Sequence, residues 1–413
     1  MKTRKIYTLL VSLFVSSIVL GQDSLSNYLI TAAQNNPGLK AKFNVYMASM
    51  EKVTQVGTLP DPQVAFGAFI LPVETRLGPQ QGKIGLSQMF PWFGLLGAKE
   101  DVATAAANAK YEIFEQAKSK LFYDVKTLYY KLYFVERSME TTQENIDILK
   151  TLQRLAIVKY EAAKGSLVNE LRVEMEINDL DYQFHKLEDV KQKFSVEFNN
   201  LLAVDEGASI NIPSELLEKD FSVDKKSIGD TMKIENHLIK QIEHRILSWE
   251  KKEIVAKKAG MPSFMIGADY IFIGKNDMSS VSENGKDALL LPKVSLTIPL
   301  YKKKYNSMIS EAKLNLEASK YEKEDKLNQI SSLLERAYVD LHDASDRISL
   351  YDKQIKLAEQ SLELLTTEYS TDGENFEELL RMERKLIKYQ LDIEKARTDA
   401  QVAFAFIDYL MGK

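Results

Sequence analysis

From Val102, Ala106 and Ala109 through Leu121, Val125 and Leu132 to Met139, apolar residues recur every three or four positions. That period is a helix with one apolar stripe. No glycine or proline interrupts residues 98–164 or 302–372. Each stretch therefore predicts a helix far longer than the three or four turns usual in compact domains. Elsewhere the period drops to two, which predicts strands at about 62–71, 83–89, 263–273 and 290–300. Ile84 and Leu86 oppose Lys83, Gly85 and Ser87. Val294, Leu296, Ile298 and Leu300 oppose Lys293, Ser295, Thr297 and Pro299, and Phe264, Ile266, Ala268, Tyr270 and Phe272 oppose a face with Gly267 and Asp269. Residues 64–71 are apolar or small on both faces. Each run could cross a bilayer as a tilted strand, although half-buried hairpins in water alternate in the same way. The connectors 72–82 and 274–288 are polar and glycine-bearing, as long loops on the outer side of a membrane barrel would be.

The pattern occurs twice. "TLPDPQVAFGAFIL" (58–71) is echoed by "GMPSFMIGADYIFI" (260–273), "KIGLSQMF" (83–90) by "KVSLTIPL" (293–300), and "KYEAAKGSLVNEL" (159–171) by "EYSTDGENFEELL" (368–380). The order is kept at a nearly constant offset, which marks an internal repeat. The expected division is a first copy over 22–204, a linker over 205–234 and a second copy over 235–413, each read as helix, two strands and a long helical hairpin. The polar stretches "ERSMETTQEN" (136–145) and "DLHDASDRIS" (340–349) are where each long helix is expected to fold back, giving hairpins of roughly 70 Å. Arg137, Ser138, Arg347 and Ser349 are then candidate docking tips. Gly165 and Gly373 predict a break in each returning helix, with Ser166 or Asn375 capping the restart.

Compartment and assembly follow from composition. Lys2, Arg4 and Lys5 precede an apolar run ending in Val19-Leu20-Gly21, the pattern of a secretory signal peptide over 1–21. Its removal takes the formal charge from −5 to −8, which argues against nucleic acid as a partner. With no cysteine in the chain, neither disulfides nor a thioether lipid anchor is available. No later run is apolar enough for a membrane helix, so membrane entry would have to use strands. Four strands form an open sheet, and lipid does not tolerate open edges. Two chains would close a barrel filled by its own side chains; three would close a twelve-stranded barrel with a lumen. The expected fold is mainly α with transmembrane β: a homotrimeric twelve-stranded β-barrel continuing into a twelve-helix α-barrel.

Phe90, Pro91, Trp92 and Phe93 then lie where strand meets helix, and Tyr301 occupies the same place in the second copy. Amphipathic rings are favoured at headgroup level, and proline suits a strand end. Asp340, Asp343 and Asp346 are spaced by three, and three chains would crowd their carboxylates around one axis as a candidate periplasmic gate. Catalytic chemistry is not legible. There is no phosphate-cradling loop and no Ser/His/Asp grouping. His237 and His244, seven apart beside Glu243, are read as solvated helix surface rather than metal ligands, so no cofactor, metal or enzyme activity is expected.

The repeat, "LPDPQVAFGAF", "LSQMFPWFG", the Tyr160–Gly165 and Tyr369–Gly373 elements and the C-terminal "LIKYQLDIEKARTDAQVAFAFIDYLMG" together resemble the TolC-type outer-membrane efflux family. The wording of "PDP" and "QMFPWFG" looks most like its heavy-metal branch. The resemblance implies an outer-membrane exit duct of a tripartite efflux system, passive, docked by its helical tips to a periplasmic adaptor and through it to an inner-membrane pump of the resistance-nodulation-division type. Its alternatives are the outer-membrane component of a type I secretion system and, from another class, a periplasmic coiled-coil adaptor.

Overall fold

The computed structural model describes residues 24–216, 224–277, 282–372 and 375–413, so the signal peptide expected over 1–21 and Gly373 lie outside the described residues. Two helices, α1 (Ser24–Asn35) and α2 (Pro37–Gly57), lead into β1 (Gln63–Thr75) and β2 (Gly78–Phe90), followed by α3 (Leu95–Glu161) and α4 (Leu167–Leu202). The order then repeats as α5 (Lys225–Glu235), α6 (His237–Ala259), β3 (Ser263–Ile273), β4 (Ala288–Thr297), α7 (Lys302–Asp372) and α8 (Phe376–Leu410). The two copies are not two compact bodies. One compact unit holds 42–114 and 237–326; the other holds the described residues up to Ala41 with 115–236 and 327–413.

In the first unit the strands form one antiparallel sheet in the order β1-β2-β3-β4. β2 and β3 are its inner strands, paired through Leu86↔Ala268 and Ile84↔Tyr270. The connector expected over 72–82 is not a loop: β1 runs to Thr75 and β2 starts at Gly78, so each strand has 13 residues. The tight reversal rests on the left-handed φ of +128° at Gly78, and Thr75 Oγ1 donates to the Gly78 carbonyl at 2.7 Å. Polarity alone misled there, because Gln80 and Gln81 suit a strand that continues past an apolar band. Between β3 and β4 a loop does intervene, tied by Asp287, which accepts from Ile273 N at 2.8 Å. β4 ends at Thr297, three residues short of the expected 300.

In the second unit the hairpin α3–α4 meets the hairpin α7–α8. Ile146, Leu149, Val173, Leu362, Tyr369 and Leu379 belong to one buried cluster drawn from all four helices. The expected reversals at 136–145 and 340–349 do not occur. α3 is continuous for 67 residues and α7 for 71, about 100 Å each at 1.5 Å per residue. The polar stretches are helix-compatible for identifiable reasons. Within 136–145, Ser138, Thr142 and Asn145 are buried, and Asn145 Nδ2 donates to its own helix at the Thr141 carbonyl, 2.7 Å away. Within 340–349, Leu341 and Ala344 keep the apolar stripe, while Asp343 and Arg347 pair one turn apart at 2.8 Å.

The chain turns instead at the glycine-bearing interruptions. Ala163 takes the left-handed conformation at φ +58°, Lys164 N donates to the Lys159 carbonyl at 2.8 Å, and the Ser166 side chain accepts from Val168 N to start α4. In the second copy Asn375 does not cap α8. It is left-handed at φ +61°, and its side chain donates to Glu368 Oε1 at 2.7 Å instead.

Candidate functional site

The sheet has two unlike faces. Register places Val64, Phe66, Ile84, Leu86, Ala268, Tyr270, Ile266, Val294 and Leu296 on one side. These large side chains are exposed: Phe66 is 78% accessible and Val294 68%. The opposite side carries Lys83, Ser87, Asp269, Lys293 and Ser295 with Gly67, Gly85 and Gly267. There Asp269, only 7% accessible, receives both Lys293 contacts, at 3.0 and 3.2 Å. The glycines are a packing requirement of this face. A Cβ on Gly85 would come 2.5 Å from Asp269 Oδ1, and one on Gly267 would come 2.5 Å from the Leu86 carbonyl oxygen. A face of exposed Phe, Ile, Leu and Val backed by a charged face reverses the arrangement of a soluble sheet and matches a wall with lipid on one side and water on the other.

The aromatic junction expected at Phe90–Phe93 lies at the end of this sheet. Trp92 and Phe93 both pack near Phe264, with centroids 6.2 and 5.5 Å away. With Leu59, Phe90 and Leu96 they line a groove of about 410 Å³. Gly94 makes the bend with φ +71°. Tyr301, at the corresponding position of the second copy, is 84% exposed.

The helical tips are not where Arg137, Ser138, Arg347 and Ser349 stand; all four lie inside continuous helices. Ser138 is 2% exposed. Arg347 bridges two helices, with Nε to Asp343 Oδ2 at 2.8 Å and a terminal nitrogen to Asp399 Oδ2 of α8 at 3.0 Å. The first hairpin ends at 162–166, and in the second copy one helix ends at Asp372 and the next begins at Phe376. What holds these ends together was not read from sequence: Lys159 Nζ donates to the Ser370 carbonyl at 2.6 Å, across from one hairpin to the other. Tyr369 is fully buried against Phe376, ring centroids 4.6 Å apart, whereas its counterpart Tyr160 is 48% exposed. Around the first end Val158, Leu167, Val168 and Leu171 are about half exposed, an apolar surface on the α3–α4 hairpin.

Asp340, Asp343 and Asp346 project from the middle of α7 and are all exposed. Asp340 and Asp343 line a cleft of about 400 Å³ with Arg347, Asp399, Tyr123 and Phe406. Asp346 is 3.9 Å from His342. The three aspartates are therefore not equivalent, since Asp343 is neutralised by Arg347. His237 meets Glu112 at 2.7 Å, with both side chains about one-tenth exposed. Among the described residues no group of three or more His, Cys, Asp or Glu is placed to hold a metal ion. No helix among them is long and apolar enough to cross a membrane.

Neither a family model nor a curated protein matches this chain by sequence. Solved structures match it over nearly its whole length. The outer-membrane channel OprN aligns with TM-score 0.75 at 14% identity, covering 94% of this chain and 90% of that one. The outer membrane protein VceC of Vibrio cholerae aligns with TM-score 0.75 at 14% identity over 94% and 96%. CusC, described through folding and transmembrane channel formation, aligns with TM-score 0.75 at 13% identity over 95% of each chain. The chain has the fold of these channel proteins.

Proposed function

We propose that this protein is one chain of a trimeric outer-membrane exit duct of the TolC type, passive, and supplied from the periplasm by an adaptor and an inner-membrane pump. One observation carries the reading: an open sheet whose exposed face is apolar, whose other face is charged, and whose outer strands β1 and β4 each keep an edge unpaired among the described residues. Such edges are not tolerated in hydrocarbon and close when sister chains pair. The structural likeness to outer-membrane channels over nearly the whole chain supports the same reading. The adaptor contact is assigned to the hairpin end at 162–166, where Val158, Leu167, Val168 and Leu171 offer apolar surface. The cargo class, including the heavy-metal assignment, and the resistance-nodulation-division pump rest on the sequence resemblance alone. Asp340 and Asp346 are assigned to cation attraction inside the duct, at mid-helix level rather than at its tip.

Planar-bilayer recording tests this. Purified protein should insert from detergent and give discrete steps, and D340N/D343N/D346N should weaken block by divalent cations. A protein that stays soluble without detergent and never conducts contradicts the proposal; unchanged cation sensitivity in the triple variant removes the aspartates from it.

A further inference from the structure

The helices flanking the β3–β4 hairpin carry five lysines within a few residues of the strands: Lys257 and Lys258 ending α6, and Lys302, Lys303 and Lys304 opening α7. The two ends are adjacent, since Ser263 pairs with Thr297 and a Cβ on Gly260 would meet Tyr305 at 3.3 Å. The lysines do not serve the helix they open. Cations in a first turn oppose the helix dipole. Lys302, Lys303 and Lys304 are all exposed, and Lys304 lies over the Tyr305 ring at 5.6 Å. Lys257 pairs with Glu253 at 2.8 Å. In a chain of net charge −5, this concentration of positive charge stands out.

Lys258 adjoins the aromatic groove, close to Gly94. Lys258 Nζ donates to the Phe93 carbonyl at 3.2 Å and so marks the rim. The groove itself is lined by Leu59, Trp92, Phe93, Leu96, Phe264 and Ile266, and Phe264 and Ile266 belong to the exposed apolar face of the sheet. An apolar slot continuous with the lipid-facing wall, with the Lys258 ammonium at its rim and Lys302–Lys304 opening the helix that adjoins Gly260, is complementary to acyl chains joined to an anionic head. We propose that this junction binds an anionic glycerophospholipid of the periplasmic leaflet, with an acyl chain in the groove and the phosphate among Lys258 and Lys302–Lys304. The proposal rests on the membrane reading above and adds selectivity for the head group.

Trp92 is the reporter. The chain has two tryptophans, so W249F leaves Trp92 alone in the groove. Full-length W249F protein is reconstituted in phosphatidylcholine vesicles containing acyl-brominated phosphatidylcholine or acyl-brominated phosphatidylglycerol, and quenching gives the relative binding constant at Trp92. Phosphatidylglycerol should be favoured about fivefold, the size of one well-placed lysine, and the ratio should fall to about one in K258Q/K302Q/K303Q/K304Q. Retained single-channel conductance shows that the variant is folded. Equal quenching by the two lipids, or an unchanged preference in the variant, overturns the proposal while leaving the barrel intact. Quenching by neither lipid overturns the membrane reading as well.

Discussion

Leu86 and Ser87 are neighbours on β2 that face opposite sides of the sheet, and a lysine at each should have opposite consequences. Leu86 is 55% exposed and belongs to an inner strand, paired with Val64 on one side and Ala268 on the other. It lies four residues from Phe90. At about 3.3 Å per residue and a tilt of about 40°, that places it roughly 10 Å inside an apolar band about 25 Å tall. A lysine near mid-depth on a lipid-facing position costs about 2–4 kcal/mol. A half-exposed leucine in water would tolerate the same change within about 0.5 kcal/mol. Ser87 pairs with Gly267 on the face of Lys83, Asp269 and Lys293, where a lysine head can remain in water. Urea unfolding in lipid vesicles, followed by tryptophan emission, reads the difference. The L86K midpoint should fall by roughly 1 M or more, whereas S87K should stay near wild type. Equal behaviour of the two variants, or an L86K midpoint at the wild-type value, would refute the assignment of faces.

Two further perturbations probe the helical unit. Burial pushes the Glu383 carboxyl above the ordinary carboxylate range, and the residue is 7% exposed. A raised acid pKa means that the folded state holds its proton longer, so stability falls as pH rises from the unfolded pKa through the folded one. E383Q should therefore stabilise the protein at neutral pH and flatten that slope in thermal melts from pH 4 to 8; an E383Q melt that keeps the wild-type slope would show that the slope originates elsewhere. Replacing Lys159 by Met removes the ammonium bond to Ser370, worth about 1.5–3 kcal/mol for a charged donor. Hydrogen exchange at 367–372 should accelerate accordingly in K159M, and unchanged protection there would mean that the buried cluster alone holds the hairpin ends together.

The strands were legible because period-two alternation survives on both faces of β2, β3 and β4, and pairing places Lys83, Asp269 and Lys293 together on the side their alternation indicated. The long helices were legible from the absence of glycine and proline. Their reversals were misplaced because polarity was taken as a turn signal. Ser138, Thr142 and Asn145 can be buried in helices that bond locally or pack against other helices, and the interruption at Gly165 and Ser166, expected as a break in a returning helix, is itself the turn, with Ala163 left-handed. The tip assignment of Arg137, Ser138, Arg347 and Ser349 failed with that turn. Lys159 was out of reach of sequence reasoning, since its partner is a backbone carbonyl 211 residues away. The lysines at 257–258 and 302–304 were visible as runs, but only pairing of β3 with β4 brings the runs together.

The closure of the sheet by sister chains can be read directly. The chain has no cysteine, so one introduced on β1 at Ala65 or Gly67 and one on β4 at Lys293 or Ser295 are the sole thiols. Within a chain these strands are separated by β2 and β3, about 14 Å at the usual strand spacing, too far for a disulfide. Oxidation of the membrane-inserted double variants should give, for at least one pair in register, a covalent trimer on a non-reducing gel and nothing larger. Monomer alone from every pair, or a ladder continuing past three chains, would contradict a closed three-chain barrel.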